Sequence, residues 1–175
     1  MKQKALLILL FALQSHMLLQ AQESNRLADF VKERMVFGIQ ADWSAGSNTH
    51  LSQNLDLGVM LGRRLYPFAS LGNDWLLCKQ DGVRTYGNTT LLGGGLGFRA
   101  LNNPEQRMSL DVRMKVQQSI GSHSMNCTLY DVSAYARLGG KVFVPMFGVG
   151  FRHEHMHTSG LSHQNYMYLS IGMGL

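Results

Sequence analysis

The stretch RMSLDVRMKVQQ, residues 107–118, constrains the fold more than any other part of the chain. Met108, Leu110, Val112, Met114 and Val116 are apolar, whereas Ser109, Asp111, Arg113, Lys115 and Gln117 are polar or charged. Unbroken alternation is the signature of a strand with one greasy and one wet face. A soluble sandwich also alternates, so the charges carry the argument. Asp111, Arg113 and Lys115 occupy consecutive positions on one face, which suits a polar interior with hydrocarbon on the other side.

The same period recurs along the chain. Met35, Phe37, Ile39, Ala41 and Trp43 alternate with Val36, Gly38, Gln40, Asp42 and Ser44. A polar loop over Gly46 to His50 follows, and Leu55, Leu57, Val59 and Leu61 then alternate with Asn54, Asp56, Gly58, Met60 and Gly62. Pro67 to Asn73 are expected to end that strand, and Asp74 to Tyr86 to hold the third; Asp81-Gly82 inside it could instead be a hairpin turn. Leu92, Gly94, Leu96, Phe98 and Ala100 face one way in the fourth strand, opposite Gly93, Gly95, Gly97 and Arg99. Asn102-Asn103-Pro104-Glu105 makes a tight turn into the fifth. Alternation resumes from Tyr130 to Gly139, from Phe143 to Glu154 and from Tyr166 to Leu175, with Gly139-Gly140 as a hairpin signal. Eight strands result. Gly93-Gly94-Gly95-Leu96-Gly97 has no helix after it, so it fails as a phosphate loop; small residues on a narrow inner wall explain it.

Ahead of the strands, Lys2 and Lys4 precede an apolar run from Ala5 to Leu13, and Ala21-Gln22 offers a cleavage point. Residues 1–21 read as a secretory signal peptide. Residues 22–34 form a leader or a short amphipathic helix, with Ser24 as N-cap and Leu27, Phe30 and Val31 on one face. Removing the two signal lysines leaves 14 Lys+Arg against 11 Asp+Glu. That balance is no nucleic-acid signature. Later segments lack a run of apolar residues long enough for a membrane helix. Cys78 and Cys127 fall on strands expected two apart, with Cys78 lower in the wall, which disfavours a bridge.

An even strand number, tight turns at one end, longer loops at the other and a terminal strand resemble the small eight-stranded outer-membrane barrels of the OmpA/OmpX kind. The resemblance covers residues 35–175. It implies an all-β, eight-stranded, antiparallel up-and-down barrel spanning the bacterial outer membrane. It also implies a monomer in contact with the lipid bilayer and lipopolysaccharide. The usual C-terminal aromatic is replaced by Leu175. The inner face would hold Asp42, Asp56, Asp111, Asp131 and Glu154 against Arg64, Arg99, Arg113, Lys115, Arg137 and Arg152, nearly balanced in sign. Such charges must pair inside an enclosed space. An eight-stranded lumen is filled by side chains, so the barrel reads as plugged and non-enzymatic. On the outer face, Phe37, Phe98 and Phe143 fall toward the turn end, and Trp43, Tyr130 and Phe151 toward the loop end, as two interfacial girdles would.

Six histidines, His50, His123, His153, His155, His157 and His163, are expected at the loop end. In RHEHMH the spacing of two puts His153, His155 and His157 on one outward face. As interface residues they need no task. As metal ligands, alternate positions lie about 7 Å apart along a flat strand, so two could share an ion and three only with bending. No metal or other cofactor is therefore expected. A third reading is enzymatic. The segment FGVGFRHEHMHTSGL, residues 147–161, locally resembles the lipid A 3-O-deacylase family, whose outer-membrane barrels carry a serine-hydrolase site on the outer wall. By that resemblance Arg152 and His155 match the family's arginine and catalytic histidine, and Asn165 stands where the family has an acidic residue or an amide. His157 occupies the place of the nucleophilic serine, and Ser159 lies two residues later. His155, His157, Ser159 and Asn165 are the catalytic set this alternative implies.

Overall fold

The computed structural model describes residues 34–44, 48–80, 83–103, 108–121, 124–139 and 144–174. The expected signal peptide, and the leader up to Glu33, lie outside the described residues, as do His123, Phe143 and Leu175. Eight strands follow: β1 Met35–Ser44, β2 Asn48–Val59, β3 Leu65–Gln80, β4 Val83–Asn103, β5 Met108–Ile120, β6 Cys127–Leu138, β7 Val144–Met156 and β8 Gln164–Gly174. Each pairs antiparallel with the next, and β8 pairs back onto β1 through Gly38↔Gly174 to Trp43↔Leu169. The sheet closes into a barrel.

The expected strands match except at β2, β3 and β4. Asn48 to His50, expected in a loop, begin β2, and Leu61 and Gly62, expected inside it, follow its end at Val59. Pro67 to Asn73 lie inside β3 and do not end β2; the stretch Asp74 to Tyr86 is divided between β3 and β4 on either side of positions 81–82. Pro67 is tolerated because it sits two residues into β3 and faces outward, while Ser70, Gly72 and Asp74 keep the inward alternation. The resulting hairpin is the longest in the barrel, and residues 83–89 of β4 pair with β3 alone. Gly139, which follows β6, has φ 68°; the rest of the expected Gly139-Gly140 turn lies outside the described residues.

A bulge between Arg99 and Leu101 resets the parity of β4. It lets Arg99 stand opposite Asp111 while Leu101 turns outward opposite Leu110. In the opening stretch the expectation holds: Asp111, Arg113, Lys115 and Gln117 are buried, and Val112, Met114 and Val116 are exposed. The polarity is thus inverted relative to a soluble domain. Two small apolar clusters close the interior. Val36, Met60, Tyr66 and Phe68 lie at the end of the β2–β3 turn. Leu76, Leu91, Met125, Cys127, Leu129 and Met156 lie at the opposite end. Cys127 is a free buried thiol on β6 and Cys78 lies on β3.

Candidate functional site

On β7 the period of two sends Arg152 and Glu154 inward and His153 and His155 outward. His157 follows the strand, and His163 precedes β8. Asn165 sits opposite His153 across the β7–β8 ladder, and the His153 Nδ1 hydrogen bonds its Oδ1 at 2.7 Å. The rings of His155 and His163 stack at 4.2 Å between centroids, and His157 meets His155 edge-on at 5.0 Å. His163 Nδ1 accepts from the Met156 amide at 3.1 Å. The His157 Nε2 lies 2.9 Å from the Thr128 Oγ1. Asn126 ties this corner to the β5–β6 link: its carbonyl accepts from the His157 amide at 2.8 Å, and its own amide donates to Thr158 Oγ1 at 2.8 Å.

Ser159 lies in the turn ending at Gly160, which has φ 88°. Among the described residues no hydrogen bond joins Ser159 to a histidine. Of the four residues of the hydrolase alternative, Asn165 therefore orients His153, and His157 is engaged by Thr128. His155 stacks on His163, and Ser159 stands apart. A hydrolase nucleophile needs a base in reach and a third group to orient that base. The rim supplies an oriented imidazole in His153 without a hydroxyl bonded to it.

The lumen holds the denser constellation. Arg152 is 1% exposed and donates to Asp131 at 3.0 Å, Asp42 at 2.7 Å and Ser52 at 2.7 Å. Ser170 and Asn54 donate to the same Asp42, and Tyr168 to Asp131. Toward the turn end, Arg113 donates to Asp56 at 3.0 Å and to the Tyr66 hydroxyl at 2.9 Å. Gln40 and Ser70 also bond Asp56, and Arg99 and Arg137 both face Asp111. Asp42, Asp56, Asp111 and Asp131 each have an arginine partner, as burial demands, whereas Lys115 Nζ is buried without a hydrogen-bond partner. Arg64 does not join them; it sits exposed in the β2–β3 turn, where its carbonyl accepts from the Arg99 amide at 2.7 Å.

His50 belongs here and not to the rim. It is in β2, 2% exposed, and lies against Asp74 and Glu154. Among the described residues these three form the one group of His, Cys, Asp or Glu whose ligand atoms all lie within 4.8 Å of one another. The described rim histidines form no such group. The signal for His50 was present: His50, Ser52, Asn54 and Asp56 are polar at alternate positions, two of them beyond the strand expected from Asn54. Asp74 was hidden because Pro67 resembled a strand terminator.

No protein-family model matches this sequence, and no curated protein matches it either. A solved structure described as "De novo design of transmembrane beta-barrels" is similar at TM-score 0.43 and 12% identity, over 81% of this chain and 92% of that one.

Proposed function

We propose that this chain is an integral barrel of the bacterial outer membrane, monomeric, non-enzymatic and plugged by its own side chains. The supporting observation is the continuity of the apolar wall. Ile39, Leu57, Leu71, Leu92, Met114, Val132, Val149 and Ile171 are all exposed, one on each strand of a closed cylinder. Soluble proteins rarely expose contiguous apolar surface beyond a few hundred Å². A protein partner could cover one side of such a wall; lipid covers every side. Even the shortest strand, β1 with 10 residues, extends about 33 Å and, tilted by roughly 40°, spans about 25 Å of hydrocarbon. Trp43, Tyr130 and Phe151 remain exposed toward one end and Phe98 toward the other, where rings favour the headgroup level.

Refolding into detergent micelles tests this. A folded barrel of this kind migrates differently on a gel before and after boiling. Identical migration, with the unboiled protein water-soluble without detergent, would remove the membrane reading.

A second reading, lipid A deacylation at the extracellular rim, draws support from one contact, the Asn165-oriented imidazole of His153 on the outer wall. Its test is the acyl profile of lipopolysaccharide, described below.

A further inference from the structure

We infer that His50, Asp74 and Glu154 form a closed binding site for one divalent transition-metal ion of the Zn²⁺ class, sealed inside the upper lumen.

The argument starts from what the other atoms of these groups do. The His50 Nε2 donates to Gln164 Oε1 at 2.8 Å, so in the neutral imidazole, the form that binds a metal, the lone pair resides on Nδ1. Ser52 Oγ donates to Asp74 Oδ1 at 2.7 Å, and the Tyr166 hydroxyl donates to Glu154 Oε1 at 2.5 Å. Three atoms are left over: His50 Nδ1, Asp74 Oδ2 and Glu154 Oε2 have no hydrogen-bond partner. All three side chains are buried, at 2%, 0% and 0% exposure. The His50 Nδ1 lies 3.8 Å from Asp74 Oδ2 and 3.6 Å from Glu154 Oε1. Acceptors aimed at one another in a dry interior repel, and each unmet group costs free energy. A cation among them removes both penalties.

The spacing fits. Ligands about 2.1 Å from a tetrahedral Zn²⁺ lie roughly 3.4 Å from one another. The two separations from His50 Nδ1, 3.8 and 3.6 Å, need to contract by only a few tenths of an ångström, and the three ligand atoms all lie within 4.8 Å of one another. The imidazole is held by two further contacts of the kind that tune metal ligands, the Gln164 hydrogen bond and a Tyr166 ring stacked at 4.0 Å. One nitrogen and two carboxylates select a borderline ion over Ca²⁺ or Mg²⁺, which take oxygen ligands, and over soft Cu(I).

Charge gives an independent reason. In the upper lumen, Asp42, Asp74, Asp131 and Glu154 face Arg152 and Lys115, the latter opposite Asp131 in the β5–β6 register. With His50 neutral, as a metal ligand must be, two negative charges are left over among these residues, the charge a divalent ion neutralises. The apolar cluster of Leu76, Leu91, Met125, Cys127, Leu129 and Met156 lies toward the loop end, so the ion would be taken up as the barrel folds. The role is structural, with binding energy contributing to folding.

The experiment uses the mature chain unfolded in urea with chelator, then refolded into micelles with ZnCl₂ and washed with chelator. To silence the rim, it is run in a His153→Ala, His155→Ala, His157→Ala and His163→Ala background. The expected result is about one zinc retained per heat-modifiable barrel, with a higher unfolding temperature than the zinc-free refold. Retention falls to background when Glu154→Gln or Asp74→Asn is added, while the heat-modifiable band persists. The inference is overturned if folded barrels with the silenced rim retain no zinc. It is equally overturned if Glu154→Gln and Asp74→Asn barrels retain as much as their parent.

Discussion

Tyr66 of β3 lies across Gly97, its partner on β4, and its hydroxyl reaches past that strand to donate to Asp111 of β5 at 3.0 Å. A Cβ on Gly97 would lie 2.1 Å from the Tyr66 Cζ. The device repeats. Tyr168 of β8 covers Gly150 of β7 and reaches Asp131 of β6 at 3.0 Å, and the Tyr135 ring lies 2.5 Å from where a Cβ on Gly148 would sit. Inward glycines make room for tyrosines that fill the lumen and carry a hydroxyl to the ionic groups.

Gly97→Ala should therefore destabilise the barrel by about 1–3 kcal/mol, the range for overpacking a close-packed interior. Urea unfolding in micelles measures it. A Tyr66→Leu change should relieve most of the added cost in the double variant, because the two positions touch. Strictly additive effects would contradict this contact.

Arg152 satisfies Asp42, Asp131 and Ser52 together. Arg152→Met leaves two buried carboxylates without their cation and should cost about 3–5 kcal/mol, enough to abolish refolding in mild detergent. Arg152→Lys should be intermediate, since a single ammonium cannot reproduce a planar fork serving several acceptors. Equal refolding yields for wild type and Arg152→Met would refute the network's importance.

Val149 is 50% exposed on the outer wall, between Ala134 and Leu169. Val149→Arg should cost about 2–4 kcal/mol in a bilayer if the residue faces hydrocarbon near mid-depth. The same change at Asn102, exposed at the turn end, should be close to neutral. Refolding yields into lipid vesicles compare the two; indifference at Val149 would argue for a water-facing wall.

Expression of the chain in a bacterium with fully acylated lipopolysaccharide should leave the lipid A acyl profile unchanged, by mass spectrometry. Loss of a 3-O-linked chain, reversed by His153→Ala or Ser159→Ala, would replace the non-enzymatic reading with the hydrolase.

The strand pattern was legible in sequence wherever the apolar and polar residues alternate without interruption. Parity from Met108 to Gln117, from Tyr130 to Leu138 and from Tyr166 to Met173 assigned the inner and outer faces, because alternation is a property of neighbouring residues. β3 was less legible, because Pro67 carries a local breaker signal that its outward position near the strand start makes harmless. The bulge after Arg99 was not legible at all, since register depends on the facing strand.

The rim shows the same limit: spacing placed His153 and His155 outward, but only strand pairing chose Asn165 as the partner of His153. What the amino-acid order determined by itself was polarity, an ionic face and a greasy one on each strand. What only the tertiary structure decided was which ionic groups meet. Closing the barrel brings His50, Asp74 and Glu154, far apart along the chain, within reach of one another. Such proximity is set by strand register and barrel closure, and no local pattern of residues encodes it.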